Sequence, residues 1–394
     1  MSNQTEQTLE NLPVGPIGFI PIDGCKELGN KVNDYLVKWR KETTASAGTD
    51  IVLQDYSLDS FIVDAKVPRF GSGEAKGIIN ESVRGKDIYI MVDVCNYSLT
   101  YSLSGHVNRM SPDDHFQNLK RVIAAIGGKA RRINVIMPFL YESRQHKRSS
   151  RESLDCALAL QELVRMGVDN IITFDAHDPR VQNAIPLHGF ETVRPTYQFI
   201  KALLRKHNDL KIDSEHLMAI SPDEGATSRA VYMANVLGID MGMFYKRRDY
   251  SRVVDGRNPI VAHEFLGTSL DGKDVIIIDD MISSGDSMLD VAKQLKERNA
   301  NRIFCASTFG LFTNGLEKFD KAYEDGILHG VLTTNLVYQT PELLEREWYI
   351  NCDLSKYIAL IIDTLNHDGS ISDILDPSAR IQNVVKRYQN GEKI

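Results

Sequence analysis

Nothing in this chain reaches the roughly 20 consecutive apolar residues that a membrane-spanning helix needs, although 42% of its 394 residues are hydrophobic. That composition belongs to a globular chain able to bury sizeable cores, and the length predicts two domains at about 100–200 residues each. Cysteine is scarce. Cys25, Cys95, Cys156, Cys305 and Cys352 are scattered, odd in number and form no CxxC pair. A zinc site or a disulfide framework is therefore not expected, and a reducing cytoplasm is the expected location. A basic excess is missing too. With 46 Lys and Arg against 53 Asp and Glu the net charge is -7, which provides no field for general nucleic-acid binding. Anionic ligands must then be held by local basic clusters. Met1 to Asn11 has neither the basic start nor the apolar stretch of a signal peptide, and residues 1–14 read as a disordered leader. Gly267 to Lys273 spells most of a Walker P-loop, but Asp274 replaces the required Ser or Thr and the segment precedes a strand instead of following one. It reads as a turn, so any ATP site here is not of the P-loop kind.

What the chain does have is centred on Val275 to Ser287. Val275-Ile276-Ile277-Ile278 reads as a strand buried on both faces, as in a parallel sheet. Asp279 and Asp280 stand where that strand should emerge. Ser283-Ser284-Gly285-Asp286-Ser287 follows as a small-residue loop, and Met288 to Leu295 is periodic as a helix. Strand, loop and helix N-terminus make an anion site, because unpaired backbone N–H groups and the helix dipole face the loop. Carboxylates at its entrance suit sugar hydroxyls or a divalent cation. The plainer alternative is an ordinary strand–turn–helix with solvated acids.

Elsewhere strands and helices alternate, which predicts an α/β fold with mostly parallel sheets flanked by helices. The first series runs from the strand near Gly18 to Ile22 through strands at 87–92, 132–137 and 171–175. Its most sharply marked helix has Ser111 as N-cap, Pro112 at the first position and Asp113 and Asp114 in the first turn. Phe116, Leu119, Val122, Ile123 and Ile126 recur at helical spacing, and Gly127-Gly128 ends it. A second series runs through helices at 196–206 and 227–237 and strands at 218–221, 241–245, 302–308 and 330–336. The division is expected at 190/191, giving domains 15–190 and 191–352 and a C-terminal region over 353–394, with a helix over 353–365 and a polar tail from Ile371 to Ile394 that is a candidate final helix.

Several strand ends carry chemistry. Arg144-Gln145-His146-Lys147-Arg148-Ser149-Ser150-Arg151-Glu152 follows a strand, where Arg forks and Lys charges suit polyphosphate; without context such a run is more commonly a solvated basic loop. Asp175-Ala176-His177-Asp178 also follows a strand, where a histidine and acids could meet metal-bound nucleotide or serve structure alone. Ser221-Pro222-Asp223-Glu224-Gly225-Ala226-Thr227-Ser228-Arg229 repeats the layout of strand end, acid, Gly and helix start. Lys246-Arg247-Arg248 opens a long polar stretch through His263, at the root of a loop that could close over transferring phosphates.

In order, these pieces resemble the ribose-phosphate diphosphokinase family of the phosphoribosyltransferase fold, over roughly Gly18 to Leu365. The resemblance is carried by Arg69-Phe70-x-x-Gly73-Glu74, Glu81 to Gly85, Tyr141, Arg144-Gln145, Ser150-Arg151-Glu152 and Asp175-x-His177. It continues through Ser221-Pro222-Asp223, Lys246-Arg247-Arg248 and the Asp279-Asp280 loop. It implies two phosphoribosyltransferase-like domains, an ATP side in the first and a ribose 5-phosphate side in the second. It implies that Phe70 and Glu74 reach the adenine site of a neighbouring subunit, that Arg144, Gln145 and His177 contact ATP, and that His177 and Asp223 hold Mg2+. Lys246 and Arg248 would stabilise the transferring group. Asp223, Asp279 and Asp280 would hold ribose, and Ser283, Ser284, Gly285, Asp286 and Ser287 its 5-phosphate. A dimer-based homo-oligomer, a hexamer by analogy, is implied, with no nucleic-acid or membrane partner.

The sequence departs from the family pattern in places. Ser72 and His146 replace expected acids, Asp178 replaces a small apolar residue, and the phosphate loop, usually Asp-Thr-Ala-Gly-Thr, carries Asp286. A carboxylate in a phosphate loop should weaken binding unless it points away. Two alternatives stay open: a phosphoribosyltransferase consuming the sugar diphosphate, and a silent regulatory paralogue.

Overall fold

The structure, a computed structural model, describes residues 12–47, 57–248 and 260–394. The disordered leader expected over 1–14 falls mostly on residues outside that description. The chain forms two compact units. The first is made of 1–194, 335–338 and 353–375, the second of 195–334, 339–352 and 376–394. The C-terminal segment is thus shared: 353–375 completes the first unit and 376–394 the second.

The first unit is built on a five-stranded parallel sheet in the order β1 (Ile17–Pro21), β2 (Asp87–Met91), β3 (Arg132–Ile136), β4 (Asn170–Phe174), β5 (Gly189–Val193). β1 and β2 are buried at every position, as continuous apolar strands covered by helices must be. Helix α1 (Lys26–Ala47), α2 (Pro112–Ile126) and α3 (Asp155–Arg165) follow in the chain. α2 starts at a capping box in which the Ser111 hydroxyl accepts the Asp114 N–H and the Asp114 carboxylate accepts the Ser111 N–H. Gly127, in the left-handed region at φ 60°, ends it.

The second unit carries seven strands among the described residues: β6 (Leu217–Ser221), β7 (Asp240–Arg248), β8 (Ile260–Leu266), β9 (Asp274–Ile282), β10 (Ile303–Gly310), β11 (Gly330–Thr334) and β12 (Tyr349–Cys352). Their order is β8-β7-β6-β9-β10-β11-β12, and within this sheet only β7 with β8 is antiparallel. Helices α4 (Thr196–Lys206), α5 (Thr227–Leu237), α6 (Asp286–Glu297) and α7 (Glu317–Glu324) belong here. Between β6 and β9 the chain reverses its direction of travel across the sheet. After β6 it moves outward through β7 and β8; after β9 it moves outward the other way. That is a topological switch point, where a crevice opens beyond the strands' carboxyl ends.

One strand end changes. The strand expected to end at Tyr245 runs on to Arg248, with Lys246 to Arg248 paired to Ile260 to His263 of β8, and the loop expected there falls on 249–259, outside the described residues. Polar composition concealed that ribbon. The tail after Ile371 forms a final helix, α9 (Ser378–Gln389), which buries Ile381, Val384 and Val385; α8 (Ser355–Asn366) precedes it. All five cysteines are free and four are buried. Among the described residues no helix is long and apolar enough to cross a membrane.

Candidate functional site

At the switch point of the second unit, β6 ends at the buried Ser221 and β9 carries Asp279 and Asp280 near its end. The Asp223 carboxylate accepts the N–H groups of Gly225 at 2.9 Å and Ala226 at 3.3 Å, an Asx turn that fixes its direction. The Asp279 carboxylate accepts the N–H of Asp280 at 2.8 Å. Asp280 is buried and faces Arg229 of α5 at 3.7 Å. Burial first, then the charges of Asp280 and Asp223, push the Asp279 carboxyl well above the usual carboxylate range. The sheet therefore brings all three acids together, 56 residues apart in sequence (279 − 223). Among the described residues no three His, Cys, Asp or Glu side chains converge tightly enough to hold a metal alone.

Gly285 follows with φ 84°, at the N-cap of α6. A Cβ there would lie 2.3 Å from the Phe319 ring, so only glycine fits by both backbone and space. The first-turn N–H groups of α6 have no acceptors within the helix and face the loop. Ser283, Ser284 and Ser287 line it with hydroxyls. The Asp286 carboxylate pairs with Lys318, and Lys318 first, then the Ser284 hydroxyl, hold it below the usual range.

In the first unit, Arg144 and Gln145 follow β3, and His177 follows β4. The two loops meet, with the His146 and His177 rings 5.3 Å apart and His146 Nε2 3.6 Å from Asp178. His146 Nδ1 is buried and has no hydrogen-bond partner among the described residues. Arg180 first, with His146 contributing, lowers Asp178 to about 2. Gln145 donates to the Ser153 carbonyl at 2.8 Å, and Arg144 is exposed. Phe70, 53% exposed, and Glu74 sit on a separate loop beside a cavity of about 580 Å³ lined by Lys26, Arg69, Phe70 and Tyr101. The substituted Ser72 hydroxyl donates to Glu74 at 2.9 Å. The side chains of Lys246 and Arg248 lie outside what the structure describes.

Strain marks the same loops. Among the described residues six non-glycine residues have positive φ, and Glu142, Asp175 and Phe312 stand beside Arg144, His177 and the 283–287 loop respectively. Arg229 and the 311–319 segment were absent from the expected site. Arg229 closes the Ser221 to Arg229 stretch, six positions after Asp223 (229 − 223); the second segment had no local signal for the site.

The pattern for the N-terminal domain of ribose phosphate pyrophosphokinase matches residues 19–167, and a phosphoribosyl transferase domain matches 191–339. The chain is 30% identical over 314 residues to a ribose-phosphate pyrophosphokinase of Vibrio cholerae serotype O1, covering 78% of this chain and 90% of that protein. One from Pasteurella multocida is 30% identical over 312 residues, with the same coverage. In fold, the phosphoribosylpyrophosphate synthetase of Mycobacterium smegmatis superposes with a TM-score of 0.70 at 20% identity, over 90% of this chain and 99% of that one.

Proposed function

The chain belongs to the ribose-phosphate pyrophosphokinase family, and from that premise we propose that it transfers the diphosphoryl group of ATP to O1 of ribose 5-phosphate. The products are 5-phosphoribosyl 1-diphosphate and AMP. In this reading O1 attacks the β-phosphorus in line, the bond to the α–β bridging oxygen breaks, and AMP leaves. The observation that carries it is the acidic crevice at the β6/β9 switch point, followed directly by a glycine-turned phosphate loop. Carboxylates of Asp223, Asp279 and Asp280 accept hydrogen bonds from sugar hydroxyls, while Ser283 to Ser287 and the α6 N-terminus receive the 5-phosphate.

Arg144, Gln145 and His177 hold the nucleotide, and Lys246 and Arg248 meet charge developing on the transferring group. Catalysis of this kind comes from positioning and charge neutralisation more than from covalent participation. The carboxylate oxygens of Asp223, Asp279 and Asp280 are hard donors gathered in one crevice, which fits Mg2+ completed by phosphate oxygens and water; the imidazole of His177 is the weaker match. When bound, Mg2+ would supply charge neutralisation to the polyphosphate. The exposure of Phe70 and Glu74 beside an open cavity fits a loop that serves a neighbouring copy, so a homo-oligomer is part of the proposal. A cytoplasmic location accords with five free cysteines.

The test is product analysis of purified protein with ATP, Mg2+ and ribose 5-phosphate. AMP formed only with the sugar phosphate, one-to-one with the sugar diphosphate, is the expected result. Sugar-phosphate binding by calorimetry without either product would replace the enzyme with a silent regulatory paralogue.

A further inference from the structure

The segment after β10 walls the phosphate loop. Leu311 and Phe312 donate their N–H groups to the Ile282 carbonyl at 2.8 and 3.3 Å, and Thr313 donates to the Ser283 carbonyl at 2.9 Å. Phe319 packs on Gly285 so closely that nothing larger than hydrogen fits between them. This stitching sets Lys318, in the first turn of α7, at the rim of the loop, where its Nζ pairs with Asp286 Oδ1.

Asp286 occupies the first position of α6 and already complements the positive end of that helix. A 5-phosphate entering the loop brings about two further negative charges to the same helix end. Two anions then compete for one dipole unless a cation is supplied. The pair is half exposed, 55% for Lys318 and 50% for Asp286, and exposed ion pairs contribute little to stability. Its placement makes sense for charge balance, not for holding the fold together.

We propose that Lys318 is a positioning residue of the 5-phosphate site, neutralising Asp286 so that the loop can accept a phosphate dianion. The inference rests on the sugar-phosphate reading of this loop. It explains how a chain can carry an acid there and still bind an anion.

Steady-state kinetics on the full-length protein test it, with Lys318→Ala, Lys318→Arg, Asp286→Asn and the Asp286→Asn/Lys318→Ala double variant. Lys318→Ala should raise the KM for ribose 5-phosphate about tenfold, with kcat and the KM for ATP within about twofold. Lys318→Arg should stay near wild type. Adding Asp286→Asn to Lys318→Ala should bring the KM back to within about threefold of wild type, because the uncompensated charge is gone. An unchanged KM in Lys318→Ala overturns the proposal. So does a double variant as impaired as Lys318→Ala, which would make Lys318 a direct phosphate ligand. A wild-type protein that binds no ribose 5-phosphate overturns the reading of the loop, and the proposal with it.

Discussion

Asp87 opens β2 after Gly85-Lys86, and Asp274 opens β9 after Gly272-Lys273. Ile88 pairs with Ile133 on the next strand as Val275 pairs with Ile303, and Asn134 pairs with Asn170 as Phe304 pairs with Gly330. In both units an arginine fork from the neighbouring strand's start grips the opening aspartate: Arg132 on Asp87 at 2.9 and 2.8 Å, Arg302 on Asp274 at 3.1 and 2.7 Å. The five-strand frame is therefore the same in the two units, register included. What differs is the carboxyl end. Six positions after Asp87 stands Asp93 (93 − 87), and six after Asp274 stands Asp280 (280 − 274). Asp93 is sealed, accepting the N–H groups of Cys95 and Tyr338 at 2.8 Å each. Asp280 stands instead in a crevice with Asp223, Asp279 and Arg229. Only the second unit inserts α5, β7 and β8 between its first two frame strands, and this insertion creates the switch point. The frame is a scaffold, and chemistry lives in what emerges from it.

If the frames are equivalent, breaking them should cost alike. Arg132→Met leaves Asp87 buried without its fork, and Arg302→Met does the same to Asp274; each should destabilise its unit by about 3–5 kcal/mol in urea titration. The Arg132 variant should be worse, because Asp87 is fully buried and Asp274 retains 6% exposure. A loss below about 1 kcal/mol in either would mean that the forks are ornaments of the sheet rather than its fasteners. If function lives in the insertion, Lys246→Ala and Arg248→Ala should each lower turnover about 10²–10³-fold while sparing ribose 5-phosphate binding by calorimetry. Equal loss of both quantities would remove the assigned role.

Gly285 separates the units more locally. No residue of 93–99, the corresponding stretch of the first unit, has a positive φ, so only the second unit needs glycine there. Gly285→Ala should cost about 2–4 kcal/mol through left-handed strain and the clash with Phe319. Loss of ribose 5-phosphate binding should accompany it, with part of the stability regained by Phe319→Leu. Stability at the wild-type level in Gly285→Ala would show that the loop can rearrange.

Most of the frame was legible because it is written locally. The Ser111 cap, the α2 periodicity, the apolar run of β9 and the limits of α4 and α5 all follow from neighbours a turn apart. The Gly285 loop was legible for the same reason. The switch point was not, since strand order depends on pairing across dozens of residues. β8 lay hidden in a polar stretch and β12 spans only Tyr349–Cys352, too short for an alternating pattern to emerge. The division at 194/195, with the C-terminal segment shared between units, depends on tertiary packing of α8 and α9. Lys318 and Asp286 are 32 positions apart, and no spacing rule joins them.

The smallest effect distinguishes the sealed acid from the open one. Burial raises the Asp93 carboxyl to about 7, and burial with neighbouring acids raises Asp279. A raised carboxyl keeps in the folded state a proton that the unfolded chain releases near pH 4. The folded state then binds more protons, so stability falls as pH rises from that range through the folded value. Thermal unfolding between pH 5 and pH 8 should show such a fall, and Asp93→Asn and Asp279→Asn should each remove about 1–2 kcal/mol of it. The Asp93→Asn change also forfeits one of two accepted N–H bonds, so the slope with pH is the informative quantity, not the absolute Tm. The Asp279→Asn change keeps an amide oxygen for the Asp280 N–H. Magnesium with ribose 5-phosphate should flatten the Asp279 share, because a bound cation favours the ionised acid, and should leave the Asp93 share untouched. A ligand effect that vanishes in Asp93→Asn and persists in Asp279→Asn would reverse the assignment of which acid is open.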